Sequence, residues 1–360
     1  MVPIFMIGTQ RSGSNLLRLM LNQLPEIASP HPPHILERMM PFIPNNGPLS
    51  RNIIFNQLVE DVCRLVELNP VKWQGVVLDR KQVADRCRKR NLVAIYGAVY
   101  DLYAESQGAE TWCCKSLANI NYVAELERYF KRPKYIYLYR DGRDVAVSFS
   151  KAVVGEKHYY HIAKEWAATQ ELALRLRNQI GPKRFLSVSY EHLTSEPEAT
   201  ARRICDFLGV AYRPAMLEYH LTDEARRAAS SSNLWGNVTN PVIKNNTGKY
   251  LSEASEKDVR IFESVAGHVL DVLGYERAYL KSGEAIAFTA SQIAAFDAKN
   301  KQLKEECKKL IDPADLMRRE LQANLLKEIK KNHTGELPKI AVLVKQKHLI
   351  EGSARKDLHH

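Results

Sequence analysis

Two segments of the chain carry residue types suited to binding phosphate groups, and the first is a glycine loop. Gly8–Gly13 has the frame GxxxxG and lies between the strand-like run Val2–Ile7 and the helical pattern Ser14–Leu21. Such a strand–loop–helix unit points backbone N–H groups and the positive helix end at an anion. We therefore predict an anion site with these members: Arg11, Ser12, Gly13, Ser14 and Asn15.

The second segment follows the strand-like run Lys134–Tyr139. Arg140 comes directly after this run and Ser148 eight residues later, on the helix predicted next. A guanidinium fork and a hydroxyl are the donors that a dianionic phosphate requires. The alternative is structural: Asp141 caps the helix, and Arg140 and Arg143 form surface ion pairs.

The order of the apolar runs predicts an α/β fold. Strand-like runs recur at 111–114, 134–139 and 184–190, and helical stretches separate them. This alternation is typical of a parallel sheet with helices on both faces, which gives three layers. We predict a body over residues 1–280, with a helical insertion at about 50–106 and a helix that begins near Ser252 and ends at Gly274.

Residues 281–360 are expected to form a charged helical extension. Apolar residues and one asparagine repeat there at spacings of three and four, a heptad pattern: Ile293, Phe296, Asn300, Leu303, Cys307 and Leu310. Pro313 ends the pattern after few heptads. The pattern therefore fits either a helix that lies on its own domain or one that makes a homodimer.

Composition limits the function classes. The chain has 360 residues and a formal net charge of +11, which favours anionic ligands. No apolar run is long enough to span a membrane and no secretion signal begins the chain, so we expect no membrane span and a cytoplasmic location. The six cysteines show no CxxC spacing, which is typical of reduced thiols.

Taken together, the two phosphate segments resemble those of the sulfotransferases that use 3′-phosphoadenosine 5′-phosphosulfate (PAPS). Arg11–Ser14 is similar to the 5′-phosphosulfate loop of that family, and the pair Arg140 and Ser148 to its 3′-phosphate signature. Residues 188–209 and 247–275 resemble later family segments, and the likeness covers roughly residues 2–276. Residues 112–116 resemble a lysine-containing segment of the bacterial and tyrosylprotein-like branch, although Ser116-Leu117 departs from its Thr-Pro pattern.

The resemblance implies a P-loop-kinase-like sulfotransferase fold and an enzyme that moves a sulfuryl group from PAPS to an acceptor hydroxyl by in-line displacement. The product would be 3′-phosphoadenosine 5′-phosphate (PAP), with no metal required. Arg11 and Lys115 would meet the negative charge that grows on the leaving oxygen. Tyr190 would lie near the adenine and Lys249 near the phosphates.

The acceptor also needs a general base. The position of the Glu used by the tyrosylprotein branch falls on Pro32, so that base does not carry over. His31 and His34 flank this position and have an ordinary pKa suited to proton transfer near neutrality. Glu37 is a third candidate, and the two histidines could instead bind a metal.

Two other functions fit parts of the sequence. A small-molecule P-loop kinase shares the frame of the loop, but Ser14 stands where its lysine would be. A noncatalytic nucleotide-binding adaptor could use the basic tail to bind nucleic acid or a partner. Neither explains Arg140 and Ser148 together, so we expect a hydroxylated acceptor as the partner and no nucleic acid.

Overall fold

A computed structural model describes residues 1–45, 49–231, 233–244 and 246–332. The extension predicted for residues 281–360 is therefore described as far as residue 332. Five strands form one sheet: β1 (Ile4–Gly8), β2 (Ile27–Ala28), β3 (Thr111–Cys114), β4 (Lys134–Tyr139) and β5 (Phe185–Ser189).

The sheet is parallel throughout and has the order β2-β3-β1-β4-β5. β1 and β4 pair from Ile4 opposite Lys134 to Gly8 opposite Leu138. The chain adds strands first on one side of β1 and then on the other. The carboxyl ends of β1, β3 and β4 therefore meet where the direction of winding changes, the usual ligand site of such sheets.

Helices cover both faces of the sheet, which confirms the predicted α/β class. The helices of the body are α1 (Ser14–Leu21), α2 (Ile35–Met39), α3 (Asn52–Glu67), α4 (Arg80–Asp85), α5 (Leu92–Ser106), α6 (Val123–Tyr129), α7 (Gly142–Lys151), α8 (Tyr159–Ile180), α9 (Tyr190–Ser195), α10 (Pro197–Leu208), α11 (Asp223–Ser231), α12 (Tyr250–Glu253) and α13 (Glu256–Leu273). The described part of the extension, up to residue 332, has the helices α14 (Ala290–Lys308) and α15 (Pro313–Asn332).

The two largest apolar clusters of the core lie on opposite faces of the sheet. Phe5 and Ile7 face the layer that contains α3 and α5, whereas Ile4 and Met6 face the layer that contains α1 and α10. All four side chains are buried. Because both faces are covered, β1 is apolar at every position, which is why its sequence does not alternate.

Two local expectations need correction. The helix expected to begin near Ser252 begins at Glu256, because the Ser255 side chain caps it and accepts a 3.1 Å hydrogen bond from the N–H of Asp258. The helical spacing of Ile53, Ile54, Leu58, Val62, Leu65 and Val66 predicts one apolar stripe on α3, yet Ile53 is exposed. The stripe starts further along the helix, where Leu58 and Val62 are buried.

The heptad helix α14 lies on its own body. The buried side chain of Asn300 accepts hydrogen bonds from the N–H groups of Lys157 (2.8 Å) and His158 (3.0 Å), and Phe296 stacks on the His158 ring at 4.5 Å. Asn300 thus serves an intramolecular contact. Homodimer formation stays a prediction, as do the domain boundaries.

None of the described helices is both long and apolar enough to cross a lipid bilayer. The cytoplasmic location expected from the sequence stays a prediction.

Candidate active site

Each strand of the sheet is followed in the chain by one of the predicted site residues. Because all five strands are parallel, their carboxyl ends lie along one edge, and the residues that follow them converge there. In sheet order these residues are His31 after β2, Lys115 after β3, Arg11 after β1, Arg140 after β4 and Tyr190 after β5. They surround a single cleft of about 1040 Å³.

Besides Glu37, the third candidate base, the cleft brings together eleven of the twelve other site residues singled out from the sequence. These are Arg11, Gly13, Ser14, Asn15, His31, His34, Lys115, Arg140, Ser148, Tyr190 and Lys249. The twelfth, Ser12, is buried beside them, and its Oγ has no hydrogen-bond partner among the described residues. Residues that are up to 238 positions apart in the chain therefore share one cavity.

The glycine loop has the backbone conformation expected of an anion cradle. Gly8, Arg11 and Gly13 all have positive φ, and Gly13 stands directly before α1. The first N–H groups of a helix lack intrahelical partners. A Cβ on Gly13 would lie 2.5 Å from Cδ2 of Tyr190, so only glycine allows the tyrosine ring to pack against the loop.

Arg11 and Arg140 lie close together. Arg11 Nε donates a hydrogen bond of 2.8 Å to Ser148 Oγ, and Arg140 Nη1 donates one of 3.1 Å to the carbonyl of Arg11. Burial and the charge of Arg140 both lower the pKa of Arg11. Two adjacent, largely buried guanidinium groups are costly unless an anion lies between them, so this arrangement favours anion binding.

Protein groups hold Arg140 from several sides. Its Nη2 donates a hydrogen bond of 2.5 Å to the carbonyl of Asn246 and lies 3.5 Å from Asp144, and its Cζ lies 4.4 Å from the ring centroid of Tyr190. Among the described residues, its buried Nε has no hydrogen-bond partner. One donor of this otherwise fixed guanidinium is thus available to a ligand.

The structural alternative for this segment explains a neighbour but not Arg140. Asp141 caps α7 and accepts a hydrogen bond of 2.9 Å from the N–H of Arg143. Arg143 also pairs with Glu263 and is almost fully buried, so these are interior ion pairs rather than surface ones. Arg140 instead lines the cleft.

Lys115 supplies the cation that the loop lacks after Gly13. Its Nζ donates a hydrogen bond of 2.8 Å to Asn15 Oδ1, although the two residues are 100 positions apart. Burial and the positive charges of Arg18 and Arg11 lower the pKa of Lys115 to about 7. pKa shifts of this size are common at catalytic and ligand-binding sites.

His31 and His34 differ sharply in their surroundings. His31 is buried against Trp235, with 4.6 Å between the ring centroids, and neither ring nitrogen has a partner among the described residues. Burial, followed by the charge of Lys115, lowers its pKa well below 6.5. The ring is therefore neutral at pH 7 and can accept a proton.

His34 is already engaged. Its Nδ1 lies 3.0 Å from Ser116 Oγ and 3.4 Å from Glu37 Oε2, and its side chain is partly exposed. About half of the Glu37 side chain on α2 is exposed, at 47%. Among the described residues, no three His, Cys, Asp or Glu side chains converge in a way that could hold a metal ion. Both contacts of His34 engage its Nδ1, whereas neither ring nitrogen of His31 has a partner among the described residues.

Several cleft residues were not singled out from the sequence. Trp235 packs on His31, Asn246 holds both Arg140 and Tyr190, and Asp144 accepts hydrogen bonds from the N–H groups of Gly248 and Tyr250. Trp235 and Asn246 both come from the segment that joins α10 to α12. The segment has no motif that marks either residue.

The fold and the cleft define an α/β protein with a cationic ligand site at the switch point of a parallel sheet. More specifically, the chain belongs to the sulfotransferase family, whose model matches residues 3–214.

Individual relatives are distant. "Protein-tyrosine sulfotransferase A" of Caenorhabditis elegans is 24% identical over 279 residues, which cover 76% of this chain and 67% of that protein. "Protein-tyrosine sulfotransferase 2" of Gallus gallus is 24% identical over 60% of this chain and 53% of its own length. The chain thus spans between half and two thirds of these curated relatives.

Among solved structures, the fold is similar to the "Sulfotransferase Domain from the Curacin Biosynthetic Pathway". That match has a TM-score of 0.54 and 21% sequence identity, and it covers 76% of this chain and 98% of that domain. The comparison supports the three-layer architecture.

Proposed function

We propose that the protein is a PAPS-dependent sulfotransferase that transfers a sulfuryl group to an acceptor hydroxyl. The observation that carries the proposal is the junction of Arg11, Ser148 and Arg140 at the end of the glycine loop. It joins the two segments that resemble the family's phosphate sites. Family membership supports sulfuryl transfer as the chemistry.

The cleft offers donors that fit a doubly phosphorylated adenosine. Ser12 Oγ and Arg140 Nε are buried without a partner among the described residues, and such groups are costly unless a ligand binds them. We assign donor binding to Arg11, Ser12, Gly13, Ser14, Asn15, Arg140, Ser148, Tyr190 and Lys249. Because the Tyr190 ring packs beside Gly13 and under Arg140, it can hold a planar base near the phosphate groups.

Two residues are assigned to the chemistry of transfer. Bound PAPS supplies the sulfuryl group and, as the S–O bond to its phosphate breaks, the leaving PAP. His31 takes the proton of the acceptor hydroxyl as the acceptor oxygen bonds to sulfur. Lys115, charged when an anion is beside it, stabilises the negative charge that collects on the leaving oxygen.

The kinase alternative is less well supported. A P-loop kinase places a lysine directly after the second glycine of the loop, and Ser14 occupies that position. Here the cation comes from β3 through Lys115. No contact among the described residues specifically favours the adaptor function.

A ligand panel tests the assignment. Differential scanning fluorimetry with PAP, ATP plus Mg²⁺, and AMP should show the largest rise in Tm with PAP. Of these three ligands, only PAP carries a phosphate on both the 3′ and the 5′ position. Incubation with PAPS and a library of hydroxyl compounds should then yield a product heavier by one sulfuryl group. A larger shift with ATP plus Mg²⁺ than with PAP would contradict the proposal.

A further inference from the structure

Helix α15, the last of the described helices, lies outside the family match and nevertheless packs against the body. Leu325 and Ile329 are each 2% exposed and join the main apolar core. Glu328 accepts two hydrogen bonds of 2.9 Å from Arg64 on α3. These residues fix the helix against the face of the body that carries α3.

Gln322 connects this helix to the wall of the cleft. It is 3% exposed, donates a hydrogen bond of 2.9 Å to the carbonyl of Leu65 and accepts one from Arg38 Nη1. Arg38 lines the cleft. A polar side chain buried in this way holds α15 at a set rotation, which decides which of its residues face the cavity.

Arg319, one turn before Gln322, lines the cleft. Its carboxylate neighbour is Asp315, whose Oδ2 lies 3.7 Å away and which also pairs with Arg318 at 3.4 Å. One carboxylate therefore faces two guanidinium groups. Positive charge remains on the cavity side, where Arg319 Cζ lies 5.9 Å from the ring centroid of Trp235.

Trp235 lies close to three other residues that line the cleft, namely His31, Lys115 and Arg319. The His31 ring lies 4.6 Å from it, and Lys115 Nζ lies 5.9 Å from its centroid. His31 is buried, lines the cavity and has two ring nitrogens without a partner among the described residues. An aromatic face, a proton acceptor and the Arg319 cation thus lie together in the cleft.

We infer that Arg319 binds an anionic group of the acceptor, so that the substrate is a hydroxyl compound that also carries a carboxylate or phosphate. The flat part of the acceptor would lie on Trp235 and its hydroxyl at His31. This inference rests on the proposed function, because it assigns the other end of the cleft to PAPS. Arg319 would be a specificity-determining residue supplied from outside the family segment.

The test compares acceptors in matched forms. Carboxylates, their neutral amides and phosphate monoesters of the same phenol, sugar and alcohol scaffolds are offered with PAPS, and kcat/KM is measured for each. The wild-type protein should prefer the carboxylate or the phosphate over the amide, and the comparison of the two anions identifies the group. Arg319→Gln should reduce that preference by about ten- to a hundredfold, as expected for loss of a charge-assisted contact.

Two further variants separate charge from packing. Arg319→Lys should keep part of the preference because it keeps the charge. Arg318→Gln, which removes the same charge from the same helix but does not line the cleft, should leave the preference at the wild-type value. PAP affinity, measured by calorimetry, should change less than about twofold in all three variants.

Either of two results would overturn the inference while leaving the proposed function intact. One is a wild-type protein that binds PAP but prefers the neutral amides. The other is an Arg319→Gln variant that keeps the full anionic preference. Failure of the wild-type protein to bind PAP would overturn the proposed function, and the inference with it.

Discussion

Arg11 Nε donates a 2.8 Å hydrogen bond to Ser148 Oγ, although the two residues are 137 positions apart. Arg11 belongs to the glycine loop after β1, and Ser148 to α7 after β4. The two phosphate segments are therefore parts of one continuous surface. A ligand held by one segment must lie against the other.

The first prediction concerns the two cleft arginines. Arg11→Gln and Arg140→Gln should each weaken PAP binding by about ten- to a hundredfold, since each removes a charge-assisted contact to phosphate. Isothermal calorimetry measures the change. Arg202→Gln, which removes the same charge from an exposed site on α10, is the control and should bind PAP as the wild type does. Unchanged affinity in both cleft variants would rule out the PAPS assignment.

The second prediction concerns Gly13. Gly13→Ala places a Cβ at positive φ and within 2.5 Å of the Tyr190 ring, so the ring must move and PAP binding should be lost. Gly209→Ala is the matched control, because Gly209 also has positive φ but nothing within 4 Å of its Cβ position. Gly209→Ala should lose about 1–2 kcal/mol of unfolding free energy from the left-handed backbone, and Gly13→Ala at least as much because its Cβ also meets the Tyr190 ring. If Gly13→Ala bound PAP as tightly as Gly209→Ala does, the assignment of the Tyr190 ring to PAP binding would be contradicted.

The third prediction follows from the pKa of Lys115, about 7 in the free protein. Bound phosphate favours the charged amine and therefore raises the pKa of Lys115. At a pH between the pKa of the free protein and that of the complex, the complex holds more protons than the free protein. PAP binding should therefore take up a proton, and affinity should fall as pH rises above 7. Calorimetry at pH 8 in two buffers of different ionisation enthalpy measures the uptake. Lys115→Met should abolish it, and equal uptake in that variant would assign the proton to another group.

The fourth prediction separates the candidate bases. His31→Asn should lower kcat by about a hundredfold to ten-thousandfold, the usual range for loss of a general base. PAP affinity should remain, because His31 lies at the Trp235 end of the cleft. His34→Asn should have a much smaller effect, since Ser116 and Glu37 already engage that ring. If His34→Asn lowered kcat more than His31→Asn does, His34 would be the general base instead.

The same prediction has a pH signature. Burial holds the pKa of His31 well below 6.5, so the ring is neutral both at and above that pH. The acid limb of kcat/KM should therefore lie below pH 6.5. The pKa is depressed in the folded state only, so protonation favours unfolding. Stability should thus fall as pH drops below 6.5, and His31→Asn should lessen that fall.

The sequence was sufficient for features that depend on near neighbours. Periodicity located four of the five strands, and the glycine spacing located the loop, because both patterns report local backbone geometry. β2, at Ile27–Ala28, was missed because it has only two residues. His31 comes three residues after the end of this short strand, and its inclusion in the site depends on the pairing of β2 with β3.

What only the tertiary structure decided is which distant residues meet. Lys115 reaches Asn15 and Arg11 reaches Ser148 because parallel strands bring their carboxyl ends to one edge, a relation that no spacing along the chain encodes. The same holds for α15: Leu321 and Leu325 are both apolar, yet the first is 61% exposed and the second is buried. Packing of α15 against α3 determines which face of α15 is buried. It therefore also determines that Arg319 lies at the cleft. Long-range contacts depend on the shape of the surface that an element meets, and that surface exists only after folding.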